Sequence, residues 1–312
     1  MNKKVAIIAG LAIVGVIGAF ALVGNKDTKT NDKELITITD GKGEVEVIKN
    51  PKTVVTFDYG ALDALDNMGI EVKGLPKASV PSSLSKYEDE KYVNLGDLKE
   101  PDFEAVSELK PDLIVISGRQ EDMYDKFKEI APTVYLGVDG SNYMDDFKRN
   151  MTALGEIFDK EDFINKKIEN IENRIEEINK KVKGKNININ ASTVMANDGN
   201  LSAFAAKSRF GLIYNQLGFN NIDTTLEESN HGQQVSFEYL LDKNPEYIFV
   251  IDRGSAIGGE SSAKALFDNE IIKATNAYKN DKIVYLNSEA WYIIAGGITS
   301  TETMLNDIEN SL

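Results

Sequence analysis

Apolar residues recur every three or four positions along residues 162–183. They are Ile164, Ile168, Ile171, Ile175, Ile178 and Val182. This spacing predicts one apolar stripe along an amphipathic helix, about 33 Å long at about 1.5 Å per residue. Gly184 follows the lysines of the last turn, so we expect the helix to end there. Taken alone, the pattern is equally typical of a surface helix or a short coiled coil.

The sequence on either side of this helix follows one pattern twice. In each copy a glutamate stands seven residues before a proline, an arginine stands eight residues after it, and an apolar run rich in β-branched residues follows the proline. The copies are Glu104, Pro111 and Arg119 in the first half, and Glu238, Pro245 and Arg253 in the second. The repeat predicts an α/β fold of two similar lobes, each a central, mostly parallel sheet with flanking helices, joined by a single long helix. Ligands bind at the carboxyl ends of strands in open α/β sheets, so we expect the two arginines to face each other across a cleft.

The lobes occupy most of the chain. The predicted organisation is a flexible tether over 26–34, an N-terminal α/β lobe over 35–160, a connecting helix over 161–183 and a C-terminal α/β lobe over 184–312. Local patterns further predict a β-hairpin over 35–48, a polar loop over 220–234 and a final helix over 299–308.

Residues 1–25 have the form of an export signal or a possible membrane anchor. Two lysines precede an apolar run over 5–24, which is typical of a signal sequence and long enough to span a bilayer. The end of the run resembles a lipoprotein signal, in which a lipid-bearing Cys would come next. Asn25 occupies that place, so export is expected while the mode of anchoring stays open.

Composition excludes several classes of function. The formal net charge of the 312 residues is −15, and because phosphate binding needs a basic face, nucleic acid is not an expected partner. The absence of cysteine excludes disulfides, thiolate metal sites and cysteine nucleophiles. His231 is the one histidine, which argues against a receptor for bare zinc or manganese because such sites need several His and carboxylate ligands.

Five side chains are candidates for binding. Arg119, Arg209 and Arg253 lie in predicted loops, and a converging trio of arginines indicates a strongly anionic ligand. His231 and Tyr292 together could ligate ferric iron through an imidazole nitrogen and a phenolate oxygen. The ligand would then have to bring most of the donors. The matched Glu104 and Glu238 open predicted helices, where they would either favour the helix dipole or dock on arginines of a two-fold partner.

A family resemblance is carried by two stretches, 98–104 (Leu-Lys-Glu-Pro-Asp-Phe-Glu) and 235–238 (Val-Ser-Phe-Glu). The paired lobes, the single connecting helix and the loop residues add to it. Over residues 35–312 the chain resembles the helical-backbone class of ABC-importer binding proteins. More closely, it is similar to the ferric catecholate siderophore-binding lipoproteins of the petrobactin and enterobactin type.

The resemblance implies a role for each candidate residue. The three arginines would hold the anionic ferric catecholate, with His231 and Tyr292 filling the iron positions that a tetradentate siderophore leaves open. Glu104 and Glu238 would face the permease dimer, which works with its ATPase. We expect Tyr59 and Trp291 among the ligand contacts, although the local pattern fits a core or rim position for Trp291 equally well.

The expected protein is a monomeric, non-enzymatic receptor at the outer face of the cytoplasmic membrane, held there through its N-terminal segment. It has no intrinsic cofactor, since iron(III) arrives with the siderophore. Haem or cobalamin receptors of the same fold are the main alternative. A serine hydrolase is a weaker one, because Gly259-Glu-Ser-Ser-Ala263 faintly resembles a nucleophile elbow but His231 precedes it in the chain.

Overall fold

The computed structural model describes residues 34–185, 189–260 and 262–312. The expected export signal and most of the expected tether, in residues 1–33, lie outside the described residues. The first elements are the strands β1 (Leu35–Asp40) and β2 (Gly43–Ile48). They pair antiparallel as the predicted hairpin.

The N-terminal lobe is built on a parallel sheet. Its strand order is β5-β4-β3-β6-β7, and every neighbouring pair is parallel. The strands are β3 (Val54–Thr56), β4 (Gly74–Leu75), β5 (Val93–Asn94), β6 (Leu113–Ile116) and β7 (Thr133–Tyr135), and the helices are α1 (Tyr59–Asn67), α2 (Phe103–Leu109), α3 (Tyr124–Lys128) and α4 (Tyr143–Ile157). All four residues of β6 are buried, as expected of a parallel strand covered on both faces.

Helix α5 (Glu161–Lys185) joins the two lobes. Its predicted stripe faces the core, with Ile171 and Ile178 both 0% exposed. The expected stop at Gly184 is wrong, since the helix continues to Lys185. Gly184 is not among the residues with the positive φ that a left-handed helix cap requires.

The C-terminal lobe has a mixed sheet. Its order is β11-β9-β8-β12-β13, with β10 also paired to β8; β9 is antiparallel to its neighbours, while β8, β12 and β13 are parallel. The strands are β8 (Asn190–Asn197), β9 (Asn200–Ala203), β10 (Asn220–Asn221), β11 (Gln233–Val235), β12 (Tyr247–Asp252) and β13 (Ile283–Tyr285). The helices are α6 (Leu212–Asn215), α7 (Phe237–Lys243), α8 (Arg253–Ala256), α9 (Ala263–Phe267), α10 (Glu270–Lys273), α11 (Asn276–Lys279), α12 (Ser288–Tyr292) and α13 (Ile298–Ser311).

The two copies of the repeat have the same local structure. Helices α2 and α7 are each seven residues long, and their cap residues Asp102 and Ser236 accept a backbone N–H of the first turn. Each helix is followed by a left-handed residue and a proline, and then by the buried strand β6 or β12. The predicted two-lobed α/β fold is confirmed.

The C-terminal helix α13 also contacts both lobes. It packs along α5, where Lys167 pairs with Glu302 at 2.8 Å. It also reaches α1, because the backbone N–H of Ser300 donates to the buried Asp63 carboxylate at 3.0 Å. In the part of the chain that the structure describes, no helix combines the length and the apolar character needed to cross a bilayer.

Candidate ligand-binding site

Three arginines from different elements meet at the end of α12. Arg119 follows β6 in a 3-10 helix (Gly118–Met123), and Arg253 is the first residue of α8, directly after β12. Arg209 lies between β9 and α6. All three are half-buried, and each contacts Tyr292, the last residue of α12.

The contacts converge on both the backbone and the ring of Tyr292. Its carbonyl oxygen accepts hydrogen bonds from Nη2 of Arg119, at 3.0 Å, and from Nη2 of Arg209. The guanidinium of Arg209 also stacks over the phenol ring, 4.0 Å from its centroid. Nε of Arg253 lies 3.3 Å from the phenol oxygen, while its Nη1 donates to Asn197 at 3.0 Å. The site arginines are therefore held mainly by neutral acceptors.

The positive charge of these arginines is not neutralised by ion pairing. Among the described residues, Arg119, Arg209 and Arg253 form no ion pair with a carboxylate, whereas Arg149 pairs with Asp146 and Arg174 with Glu309. The site is thus a local excess of positive charge in a chain whose formal net charge is −15. An anion that enters it gains charge-assisted hydrogen bonds without displacing a carboxylate.

The cluster shifts the pKa values of its own members. Burial, together with the charges of Arg119 and Arg253, lowers the pKa of Arg209 to about 10, which leaves it charged at neutral pH. Burial alone would raise the pKa of the Tyr292 phenol. The hydrogen bond from Arg253 and the three positive charges outweigh it, so the pKa lies below its ordinary value of 10.0. This phenol is therefore easier to convert to the phenolate that ferric iron prefers.

Asp58 is a buried carboxyl whose pKa is affected by the charge of Arg119. It caps α1 by accepting the backbone N–H of Ala61 at 2.6 Å. Burial raises its pKa, against the opposing effects of a hydrogen bond with Ser117 and of the Arg119 charge. Since burial disfavours its ionised form, Asp58 is a weak counter-charge to the cluster.

Two expected ligand contacts lie in the core instead. Tyr59 and Trp291 are each 1% exposed. The Tyr59 hydroxyl donates to the carbonyl of Pro76 at 2.9 Å, and burial raises its pKa. Trp291 Nε1 donates to Asp307 at 3.0 Å. The expectation is corrected for both residues: each satisfies its polar atom inside the protein, which leaves no surface for a ligand.

His231 makes no hydrogen bond to the arginine cluster among the described residues. It lies on an exposed turn just before β11, and its backbone N–H donates to the Ser229 hydroxyl at 3.1 Å. Within the described residues, no hydrogen bond joins its imidazole to Tyr292 or to a site arginine. The expected iron-binding pair is therefore represented in the cluster by Tyr292 alone.

The glutamates of the repeat remain on the surface. Glu104 and Glu238 are both exposed, in the first turns of α2 and α7. Their own helices are capped by Asp102 and Ser236, so the carboxylates of the two glutamates are not needed as cap residues.

The described residues that flank Ser261 do not have the strand-to-helix arrangement required of a nucleophile elbow. Ser261, its expected nucleophile, lies outside the described residues. The flanking chain runs from α8 to α9, so the segment follows a helix rather than a strand.

Sequence reasoning missed two polar groups at the site. Asn197 ends β8 and holds Arg253, and the strand-end rule that selected the arginines also applies to it. Glu289 lies in the first turn of α12 and accepts the backbone N–H of Ser82 of the other lobe at 2.8 Å. No sequence signal marks Glu289, because the partners are more than two hundred residues apart.

In a two-lobed α/β protein, a cationic cluster at the strand ends occupies the place where ligands bind in such folds. The chain belongs to the periplasmic binding protein family, whose model matches residues 54–290. This membership confirms the expectation of a binding protein rather than an enzyme.

Two proteins that are similar to this chain along nearly their whole length are binding proteins by name. The petrobactin-binding protein YclQ of Bacillus subtilis (strain 168) is 44% identical over 320 residues, covering 100% of this chain and 99% of that protein. Its crystal structure matches with a TM-score of 0.85 and 46% identity over 89% of this chain and 99% of that chain. The periplasmic catecholate-siderophore binding protein VctP of Vibrio cholerae matches with a TM-score of 0.85 and 37% identity, over 89% and 100% of the two chains.

Proposed function

We propose that this protein is the extracytoplasmic receptor of an ABC importer and captures an anionic iron(III) catecholate siderophore between its lobes. The observation that carries the proposal is the convergence of Arg119, Arg209 and Arg253 on Tyr292, with no ion pair between these arginines and a carboxylate among the described residues. Catecholates bind iron(III) as dianions, so the ferric complex is strongly negative and matches such a cluster. The names of YclQ and VctP support the same ligand class.

Tyr292 gives the site a second way to recognise the complex. Its lowered pKa favours a phenolate, which is a hard oxygen donor suited to iron(III). A tetradentate siderophore leaves iron positions open, and we propose that Tyr292 fills one of them. We propose that His231, on the exposed turn before β11, fills the other.

Fluorescence titration tests this function. The purified protein is titrated with ferric petrobactin, ferric enterobactin, haem and cobalamin, and quenching of Trp291 and the tyrosines is followed. Tight, saturable quenching by a ferric catecholate and not by the other two supports the proposal. Quenching by haem or cobalamin alone would keep the receptor class and discard the iron-binding role of Tyr292.

We further propose that Glu104 and Glu238 dock on the two subunits of the permease dimer. They are exposed at equivalent positions of the two repeats, α2 and α7, as a two-fold partner requires. Reversing both charges, with Glu104→Arg and Glu238→Arg, should abolish siderophore-dependent iron uptake by cells and leave the affinity for the ferric siderophore unchanged. Glu108→Arg, on the same helix as Glu104, is the matched control. Uptake at the wild-type rate in the double variant would remove this docking role.

The expected location follows from the proposed role. We propose that the protein acts as a monomer at the outer face of the cytoplasmic membrane, held through residues 1–25. Asn25 in place of a lipid-bearing Cys leaves the N-terminal segment itself as the anchor. Cell fractionation with and without residues 1–25 tests this, and release of the full-length chain into the soluble extracytoplasmic fraction would contradict it.

A further inference from the structure

Helix α12 is tied to the N-terminal lobe by a carboxylate. Oε1 of Glu289 accepts the backbone N–H of Ser82 at 2.8 Å, and Oε2 accepts the Ser82 hydroxyl at 3.0 Å. Ser83 adds longer contacts from its backbone N–H, at 3.4 Å, and its hydroxyl, at 3.5 Å. We call this set of bonds the Glu289 clasp. It joins two segments that are more than two hundred residues apart in the chain.

The clasp supplies an acceptor that the N-terminal lobe lacks locally. Ser82 begins a 3-10 helix (Ser82–Glu88), and the preceding Pro81 makes no side-chain capping bond to it. The first N–H groups of such a turn have no partner within the turn itself. Glu289 therefore provides from the other lobe the acceptor that a cap residue would normally provide.

The opposite side of α12 is fixed within the C-terminal lobe. Asp307 of α13 accepts the backbone N–H of Asn287 at 2.7 Å and Nε1 of Trp291 at 3.0 Å. The N-terminal lobe holds the far end of α12 as well, since Arg119 donates to the carbonyl of Tyr292 at 3.0 Å. Because Glu289 and Tyr292 are one helical turn apart, a shift at one must move the other.

Two pockets adjoin the clasp. One, of about 330 Å³, is lined by Ser82, Glu289 and residues of the C-terminal lobe. The other, of about 240 Å³, is lined by Ser83, Ala290 and residues of α1 and α13. Ser82 and Ser83 of the clasp thus each border one of these pockets.

We propose that Glu289 is a positioning residue of the ligand site: by binding Ser82 and Ser83 across the cleft, it fixes α12 and holds the Tyr292 side chain against the arginine cluster. Its effect on ligand affinity rests on the proposed function. Its effect on the geometry of the unliganded protein does not.

Glu289→Gln tests the clasp with little change of shape. An amide has one acceptor oxygen, so in either orientation its NH2 group faces the backbone N–H of Ser82 or that of Ser83, and one of these two hydrogen bonds is lost. Conformers with α12 displaced then gain population, and apparent affinity falls with the fraction of protein that is competent to bind. We expect affinity for ferric enterobactin to fall by about 3- to 10-fold.

The ionisation of Tyr292 reports its position without any ligand. Tyrosinate absorbance is titrated in the wild type and in Tyr292→Phe, and the difference isolates the Tyr292 component. Arg119, Arg209 and Arg253 hold this component below the ordinary tyrosine range. In Glu289→Gln, the Tyr292 component is isolated by comparison with the double variant Glu289→Gln/Tyr292→Phe. We expect this component to titrate at higher pH than in the wild type. Glu270→Gln is the matched control, because Glu270 opens α10 and pairs with Lys273 of its own helix.

The outcomes separate the two proposals. A shifted Tyr292 titration in Glu289→Gln but not in Glu270→Gln supports the clasp, even if no ferric catecholate binds the wild type. An unchanged Tyr292 titration together with unchanged affinity overturns it. If Glu289→Gln fails to fold, Ser82→Ala removes one donor of the clasp and should shift the titration in the same direction, by less. No shift in Ser82→Ala would then overturn the proposal.

Discussion

At the scale of residues, Tyr292 is where the two lobes meet. Its carbonyl takes a hydrogen bond from Arg119 of the N-terminal lobe and one from Arg209 of the C-terminal lobe. A carbonyl fixes the direction of a guanidinium without cancelling its charge, whereas a carboxylate would do both. The side chains are thus oriented before the ligand arrives, which reduces the ordering that binding must accomplish.

Arg253→Ala should weaken the binding of a ferric catecholate by about 1 to 3 kcal/mol, because it removes a charge-assisted contact to the ligand. Isothermal titration of the folded variant checks this. Arg174→Ala is the control: Arg174 is ion-paired with Glu309 on α13, away from the site, so its removal should leave affinity unchanged. Wild-type affinity in Arg253→Ala would count against the cluster as the binding site.

Individual residues differed in how well the sequence could locate them. Arg119 and Arg253 could be located because they recur at one position of a repeat, which fixes them relative to a strand end. Tyr59 and Trp291 could not, since an aromatic residue at a helix end suits the core and a ligand equally. The role of His231 is what the family resemblance implies, and the polar sequence around it indicates a loop without fixing its distance from the arginines.

At the scale of elements, the long connecting helix was predictable and the short helices were not. Helix α5 repeats its apolar spacing over several turns, so the period is visible. Helices α8 to α12 have four or five residues each, too few for a period to show. The sequence predicts a polar loop over 220–234, whereas residues 233–235 form strand β11. Gln233 and Gln234 do not alternate with apolar residues, so the pattern of a strand is absent there.

Gly140→Ala should separate two segments that support Arg209. A Cβ atom at Gly140 would lie 2.1 Å from the carbonyl oxygen of Ser208 and 2.4 Å from backbone atoms of Arg209. These are backbone atoms and cannot rotate away, so the segments must move apart. We expect a loss of about 1 to 3 kcal/mol in the free energy of unfolding and weaker ligand binding.

Gly184→Ala is the matched control for this substitution. Gly184 lies in α5, and among the described residues no atom outside its own helix backbone and chain neighbours lies within 4 Å of the added Cβ, so alanine should stabilise the helix by up to about 1 kcal/mol. Chemical denaturation of the two variants measures both values. Equal stability of Gly140→Ala and the wild type would show that the contact between the segments relaxes easily.

At the scale of the whole molecule, the lobes are connected by more than the one helix that the sequence predicts. Helix α13 packs on α5 and on α1, and its buried Thr301 hydroxyl lies 2.7 Å from the hydroxyl of Tyr143 in α4. The same Tyr143 oxygen accepts the backbone N–H of Gly296 at 3.0 Å. Buried hydrogen bonds of this kind are costly to break, so they oppose a large relative movement of the lobes.

Ligand binding should therefore change the overall dimensions very little. X-ray scattering of the protein with and without saturating ferric siderophore should give nearly the same radius of gyration. A ligand shifts the balance between two conformations only by its differential affinity for them. The bracing by α5 and α13 leaves the lobes few alternative arrangements. A closure by tens of degrees would contradict the bracing by α5 and α13.

The contacts of α13 with the N-terminal lobe also bear on the order of folding. The buried Asp63 carboxylate and the Tyr143 hydroxyl of that lobe bond to Ser300 and Thr301, which are 237 and 158 residues further along the chain. Buried polar groups are costly to leave without such bonds. The N-terminal lobe therefore reaches its final packing only together with a helix that follows the whole C-terminal sheet in the sequence.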